Sequence, residues 1–256
     1  MKFEQCNAVV TVGASGLGFA VAERVVALGG KAVMLDLQAE RGRAMAQKLG
    51  SNALFVETDV TQEVSVDEAV GKAVEFLTEV TLGVNCAGIA PSRRVLARDG
   101  LMSTDEFSKV ININLIGTFS VCRALANVMQ NNASQGEDEE RGVIVNTASV
   151  AAIEGQIGQA AYSASKGGVV SMALPLAREF SRIGVRVMTI APGIFETPMF
   201  DTLPAEAREA LAANTPYPKR LGKPEEFAQL VQQIYENSML NGEVIRLDGA
   251  LRMQPK

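Results

Sequence analysis

Seven short apolar runs divide the 256-residue chain, and the segments between them decide what it can fold into. The runs are NAVVTV (7–12), KAVMLD (31–36), NALFVETDV (52–60), TLGVNCAG (81–88), GVIVNTAS (142–149), VRVMTIAPG (185–193) and NGEVIRLDG (241–249). Apolar residues stand at consecutive positions rather than alternate ones, as in strands covered on both faces. Between the first two runs, Leu17, Ala20, Val21, Arg24, Val25 and Leu28 recur at three- and four-residue steps before Gly29-Gly30 closes the pattern. Strands alternating with helices predict an α/β fold: one Rossmann-type domain, a doubly wound parallel sheet of about seven strands with helices on both faces. No internal repeat or interdomain linker is visible.

Composition removes several classes of chemistry. Apolar residues make up 47% of the chain, enough for a substantial core, yet no run approaches the ~18–20 residues of a membrane helix. The N-terminus MKFEQCNAVVTV has no basic leader before a long apolar segment, so a cytoplasmic protein without a membrane partner is expected. A net charge of −5 argues against nucleic-acid binding. Cys6, Cys86 and Cys122 have no metal spacing and suggest no disulfide framework. The chain contains no histidine, which removes Ser-His-Asp hydrolysis, Cys-His proteolysis and most zinc sites. No metal is expected, and proton transfer falls to Tyr, Lys, Asp, Glu or Cys.

Two stretches depart from the strand–helix rhythm. NNASQGEDEERG (131–142) is polar and acidic and is expected to be a surface loop. The segment 194–218 holds Pro198, Pro204, Pro216 and Pro218 around the helical pattern AEAREALAA, and is expected to form a lid over a ligand.

The first strand runs into TVGASGLG (11–18), a glycine-rich turn opening a helix. Free N–H groups and the helix dipole at such a turn favour a pyrophosphate. Gly13, Ser15, Gly16, Leu17 and Gly18 are the candidate contacts. Asp36 ends the second strand, where a carboxylate would accept hydrogen bonds from the adenosine ribose and repel a 2′-phosphate. This favours NAD over NADP. Asp59 and Val60 end the third strand, and Asn85, Ala87 and Gly88 the fourth, all at the edge where a doubly wound sheet binds ligands.

The stretch SVAAIEGQIGQAAYSASK carries the chemistry. Tyr162 and Lys166 stand one helical turn apart, and Ser149 ends the fifth strand. A free phenol titrates near ~10. An adjacent ammonium and a positive nicotinamide would lower that value and let Tyr162 exchange a proton with a substrate oxygen held by Ser149.

These residues, with NLIGT (114–118), Pro192-Gly193, Thr197, RLGKPEE (220–226) and NGEVIRLDG, resemble the short-chain dehydrogenase/reductase family over essentially the whole chain. The resemblance implies that Asn114 completes a tetrad with Ser149, Tyr162 and Lys166, holding a water that links Lys166 to solvent. It implies that Lys166 also binds the nicotinamide ribose, and that Pro192, Gly193, Ile194 and Thr197 surround the carboxamide. It further implies a homotetramer. The runs NTASVAAIEGQIGQAAYSASKGG, RVMTIAPG and LNGEVIRLDGALRMQP are similar to the branch that interconverts 3-hydroxyacyl-CoA and 3-ketoacyl-CoA with NAD. Gln156 and Gln159 are the candidate additional substrate contacts. Phe195, Met199, Phe200 and Leu203 would suit an acyl chain, and Arg93, Arg94 and Arg98 form either a CoA-phosphate site or a solvated basic loop.

Two positions depart from the family. Val12 stands where the pattern has glycine. Either this β-branched residue takes a left-handed bend, at roughly 1–2 kcal/mol, or Gly13 absorbs it. Thr81 stands where close relatives carry aspartate, with no reason in the sequence. Other readings are a 3-oxoacyl-[acyl-carrier-protein] reductase, a steroid or secondary-alcohol dehydrogenase, and, outside catalysis, an NAD-binding regulatory subunit.

Overall fold

A computed structural model describes residues 1–198 and 212–255. The order is β1 (Asn7–Thr11), α1 (Gly16–Ala27), β2 (Lys31–Asp36), α2 (Ala39–Leu49), β3 (Ala53–Glu57), α3 (Glu63–Leu77), β4 (Leu82–Asn85), the hairpin β5 (Leu96–Ala97) and β6 (Gly100–Leu101), and α4 (Thr104–Ile111). A π-helical turn, Asn112–Ile116, leads into α5 (Gly117–Met129), followed by β7 (Gly142–Thr147), α6 (Ala160–Phe180), β8 (Val185–Pro192), α7 (Pro224–Glu236) and β9 (Val244–Leu247).

All strands except the β5–β6 hairpin join one parallel sheet in the order β3-β2-β1-β4-β7-β8-β9. The consecutive apolar positions explain themselves here. Along β1 and β2, Ala8, Val10, Ala32 and Met34 face α1 and α7, while Val9, Val33 and Leu35 face α3, α5 and α6. Both faces are core. The chain winds outward from β1 in both directions, which leaves a crevice beyond the carboxyl ends of β1 and β4. Thr11 closes the seam: its hydroxyl accepts the Cys86 and Ala87 N–H groups at 2.9 and 3.0 Å.

The third apolar run is shorter as a strand than the sequence suggests. Asp59 and Val60 lie beyond it, in the turn into α3, where Asp59 Oδ1 takes the Thr61 N–H at 2.9 Å. The β5–β6 hairpin has no counterpart in the sequence pattern. The acidic loop 131–142 is tied by Gln135 and Glu140, whose backbones bond to each other. Thr81 acquires a physical reason. It is buried, and its hydroxyl accepts the Asn7 N–H and the Tyr235 hydroxyl, both at 3.0 Å. A neutral acceptor serves two donors there without a buried charge. Among the described residues, no helix is long and apolar enough to cross a membrane.

Candidate active site

The glycine turn does three separate jobs. Val12 takes the left-handed bend, with φ of +52°, and Gly16 takes a second, with φ of +54°. Gly13 does not absorb the bend, so that alternative is overturned. Its glycine is needed for a different reason, because a Cβ would stand 2.6 Å from that of Met34 on β2. At Gly18 a Cβ would run into the Val12 carbonyl oxygen, so only glycine lets α1 start this close to β1. Val12 therefore carries a backbone strain of about 1–2 kcal/mol that is built into the fold.

Two cavities meet at this turn, and Val12, Ser15 and Gly88 line both. The larger, about 680 Å³, runs over the ends of β2 and β3 past Asp36, Asp59 and Val60. Asp36 is buried, and its carboxylate accepts the Ala14 N–H at 3.3 Å and the Gln38 N–H at 3.1 Å. One oxygen is thus tied to the glycine turn and the other to the start of the next segment, which fixes the carboxylate for hydroxyl donors in the cavity. Ala87 borders this cavity too. Asn85, read from the sequence as a cofactor contact, turns its side chain inward, to Asn146 Oδ1 at 2.8 Å and Cys122 Sγ at 3.3 Å.

The smaller cavity, about 300 Å³, extends from Gly16, Leu17 and Gly18 to Ser149, Tyr162 and Lys166. Ser149 ends the segment after β7 in extended conformation, and its oxygen accepts the Ala151 N–H at 3.1 Å. Its own proton is thereby directed away from the backbone. Tyr162 stands on the same cavity wall as Ser149. Lys166, one turn further along α6, donates to the Thr147 carbonyl at 2.7 Å, and its ammonium lies 5.9 Å from the centre of the Tyr162 ring. Burial pushes the Lys166 ammonium down to about 8. Burial pushes the Tyr162 phenol up, with the Ser149 hydroxyl pulling the other way. The acidic phenol expected from its cationic neighbour is therefore not a property of the protein groups alone, since desolvation outweighs them.

Asn114 lies in the π-helical turn, a feature that often marks functional positions. Its amide oxygen accepts the Ile89 N–H at 2.8 Å, and its amide nitrogen donates to the Ile89 carbonyl at 2.9 Å and to Ser165 Oγ at 3.0 Å. Ser165 in turn donates to the Tyr162 carbonyl at 2.7 Å. The side chain thus ties the end of the β4 loop to the Tyr162 helix, and the backbone carbonyl of Asn114 accepts Thr118 Oγ1 at 2.7 Å.

Pro192, Gly193 and Thr197, expected from the sequence around the nicotinamide, all stand on the cavity wall. The Gly193 N–H donates to Leu247 and the Ile194 carbonyl accepts from Gly222, so this bend is pinned from two sides. The expected lid, 194–218, falls partly on 199–211, outside the described residues, and Met199, Phe200 and Leu203 are among those. Phe195 is buried against the cavity. Gln156 and Gln159 do not line it: the Gln156 N–H donates to Gln159 Oε1, and the Gln156 amide donates to the Gln254 carbonyl, both at 2.9 Å. Arg93 is held by Asp99 at 2.7 Å and Glu106 at 3.5 Å, whereas Arg94 and Arg98 are exposed. Sequence reasoning missed Thr11, Thr147 and Ser165. The first two act through one hydroxyl and one carbonyl that no motif marks, although Ser165 lies inside YSASK.

Residues 6–208 match the short chain dehydrogenase family. The chain belongs to that family. It is 55% identical over 251 residues to 3-hydroxyacyl-CoA dehydrogenase type-2 of Bos taurus, covering 97% of this chain and 95% of the bovine protein. The same-named protein of Drosophila melanogaster is 51% identical over 97% of this chain and 99% of its own length. The crystal structure of 3-hydroxyacyl-CoA dehydrogenase type-2 from Mycobacterium avium matches with a TM-score of 0.94 and 44% identity, over 99% of this chain and 98% of that one. The 3-ketoacyl-(acyl-carrier-protein) reductase of Brucella melitensis, complexed with NADH, matches with a TM-score of 0.86 and 30% identity, over 96% of this chain and 98% of that one.

Proposed function

We propose that the chain is an NAD-dependent oxidoreductase interconverting 3-hydroxyacyl-CoA and 3-ketoacyl-CoA. The observation that carries this reading is the pair of hydroxyls, Ser149 and Tyr162, on the wall of the cavity that begins at the glycine turn. The dinucleotide fits the residues present. The absence of a Cβ at Gly16 leaves room beside Thr197 for a pyrophosphate at the N-terminus of α1, and the Asp36 carboxylate is fixed where ribose hydroxyls would donate. Lys166 holds the second ribose, and the backbone around Ile194, with Thr197, holds the carboxamide.

When bound, NAD supplies the hydride acceptor and a positive ring charge. The rest is done by the chain. Ser149 donates to the oxygen on C3 of the substrate and positions it. Tyr162 takes the hydroxyl proton in oxidation and returns it in reduction. The proton reaches solvent past Lys166 and the Asn114 carbonyl.

The rival carrier-protein reductase shares the fold, and its Brucella relative was solved with NADH, so binding of NADH alone does not separate the two readings. The deciding measurement is turnover of acetoacetyl-CoA against acetoacetyl-carrier protein with NADH. Turnover confined to the carrier-protein substrate, or a strong preference for NADPH, would overturn the assignment. NADH binding without turnover of any ketone would favour the regulatory reading. A homotetramer in the cytoplasm completes the proposal. Ile116 and Phe119, at the π-helical turn and in α5, and Leu174 in α6 are exposed apolar groups suited to a second copy, and light scattering would read the assembly.

A further inference from the structure

Ser149 and Tyr162 are joined by residues 150–161, which hold a short turn, Val150–Ala152, and no further regular structure until α6. Two glycines, Gly155 and Gly158, interrupt this connection, and Ile153 and Ile157 are exposed on it. Its own bonds are local turns: the Ala152 N–H to the Ser149 carbonyl, the Ile153 and Glu154 N–H groups to the Val150 carbonyl, and the Gln159 N–H to the Gln156 carbonyl. Further contacts reach it from the far end of the chain.

Arg246 sits on β9, in register with Ala191 of β8, so its backbone is fixed by the sheet. Its guanidinium donates to both oxygens of Glu154 at 2.8 and 3.3 Å, to Asp248 at 2.7 Å and to the Leu251 carbonyl at 3.0 Å. Arg252 adds contacts to Glu154 and Asp248 at 3.3 and 3.2 Å. The Met253 N–H donates to Glu154 at 3.0 Å. The segment then runs along the connection: the Gln156 amide donates to the Gln254 carbonyl at 2.9 Å, and the Ile157 N–H to the Pro255 carbonyl at 3.1 Å. On the other side the Gly158 carbonyl accepts the Arg93 N–H at 2.9 Å. Arg246 holds the Glu154 carboxyl below the usual carboxylate range, so the cluster stays charged at neutral pH.

We propose that the C-terminal segment Asp248–Pro255, seated by Arg246 on Glu154, is a positioning element for the substrate: it sets the path between the two reacting hydroxyls and the wall beside them. Arg246 and Glu154 are positioning residues that act through the connection. Gln156 and Gln159 serve the same end, using their amides to hold the loop. The choice of assay substrate rests on the proposed acyl-CoA reading, but the inference itself does not.

Two variants test it. A chain ending at Arg252 loses the contacts of Met253, Gln254 and Pro255 yet keeps the Arg246–Glu154 pair. Glu154→Gln keeps the shape and removes the charge. Each is compared with the whole chain for NADH-driven reduction of acetoacetyl-CoA and of a simple methyl ketone, for the Kd of NADH, and for amide exchange in 150–161. The expected result is at least tenfold faster exchange in that segment and at least a tenfold fall in kcat/KM for the ketone, with KM rising more than kcat falls and the Kd of NADH within twofold. Unchanged exchange, unchanged kcat/KM, or a parallel loss of NADH binding would each overturn the proposal. If the intact chain reduces the methyl ketone but not acetoacetyl-CoA, the acyl-CoA reading fails. The methyl-ketone kinetics and the exchange data still decide the role of the segment. Should one variant fail to fold, the other carries the test.

Discussion

The two halves of the site are held in place by different means. The dinucleotide half stands on strand ends. Thr11 and Asp36 sit where parallel strands stop, placed by backbone bonds in register, and Asp59 and the turn after β4 follow just beyond such ends. The substrate half hangs on a connection with little structure of its own, fixed by an ion cluster and by a segment from the other end of the chain. A ladder of backbone bonds tolerates side-chain change. A loop fixed by a few charged contacts moves when one is lost. The cofactor half is therefore expected to be robust in geometry, and the substrate half adjustable.

The largest effect is expected where the two halves meet. Tyr162→Phe is expected to lower turnover by about 10²–10⁴-fold with the Kd of NADH nearly unchanged, measured by steady-state kinetics and fluorescence titration. Substantial remaining activity would remove the assigned proton carrier. Within the cofactor half, Asp36→Ala removes the carboxylate proposed to meet the ribose and the anchor of the Ala14 and Gln38 N–H groups. The NAD over NADP preference is expected to shrink by about 10–100-fold, the worth of hydrogen bonds to a charged group. An unchanged ratio would show that another group discriminates.

Lys166 gives a pH signature. Its value near 8 in the folded chain lies below the ordinary lysine value of 10.5. Between those two pH values the unfolded chain binds more protons than the folded one, so stability rises with pH. Relative to Lys166→Met, the wild type is expected to gain up to about 3 kcal/mol from pH 8 to 10.5, read from thermal unfolding at each pH. A parallel pair of curves would mean the ammonium is not desolvated. The smallest effect belongs to Val12→Gly. Relief of the left-handed strain is offset by the flexibility of glycine, leaving about 0.5–1 kcal/mol of added stability and a Tm rise of about 1–4 °C. A lower Tm would mean that the valine side chain packs well enough to outweigh its backbone.

Much of the cofactor half was legible in the sequence because it depends on local chemistry. Consecutive apolar runs locate the strands, and a carboxylate or glycine just beyond a run lies at a strand end whatever surrounds it. Tyr162 and Lys166 were legible because helical spacing places them together. The bend at Val12 was not. Two neighbouring residues could have taken it, and only the closeness of Gly13 to Met34 shows that the glycine there serves packing instead. The partners of Gln156 and Gln159 were hidden for a related reason: the sequence places them between Ser149 and Tyr162 but does not reveal the carbonyl of Gln254 that occupies the Gln156 amide.

The sequence by itself determined the class of fold, the strand ends that border the cavities, and the placing of Tyr162 and Lys166 one turn apart, since each follows from the order and spacing of nearby residues. Tertiary structure alone decided that Thr147 holds the lysine, that Asn114 ties Ile89 to the helix of Tyr162, and that Arg246 reaches Glu154. Those partners are brought together by the winding of the sheet, and contacts made by closing long stretches of chain leave no periodic trace in the order of residues.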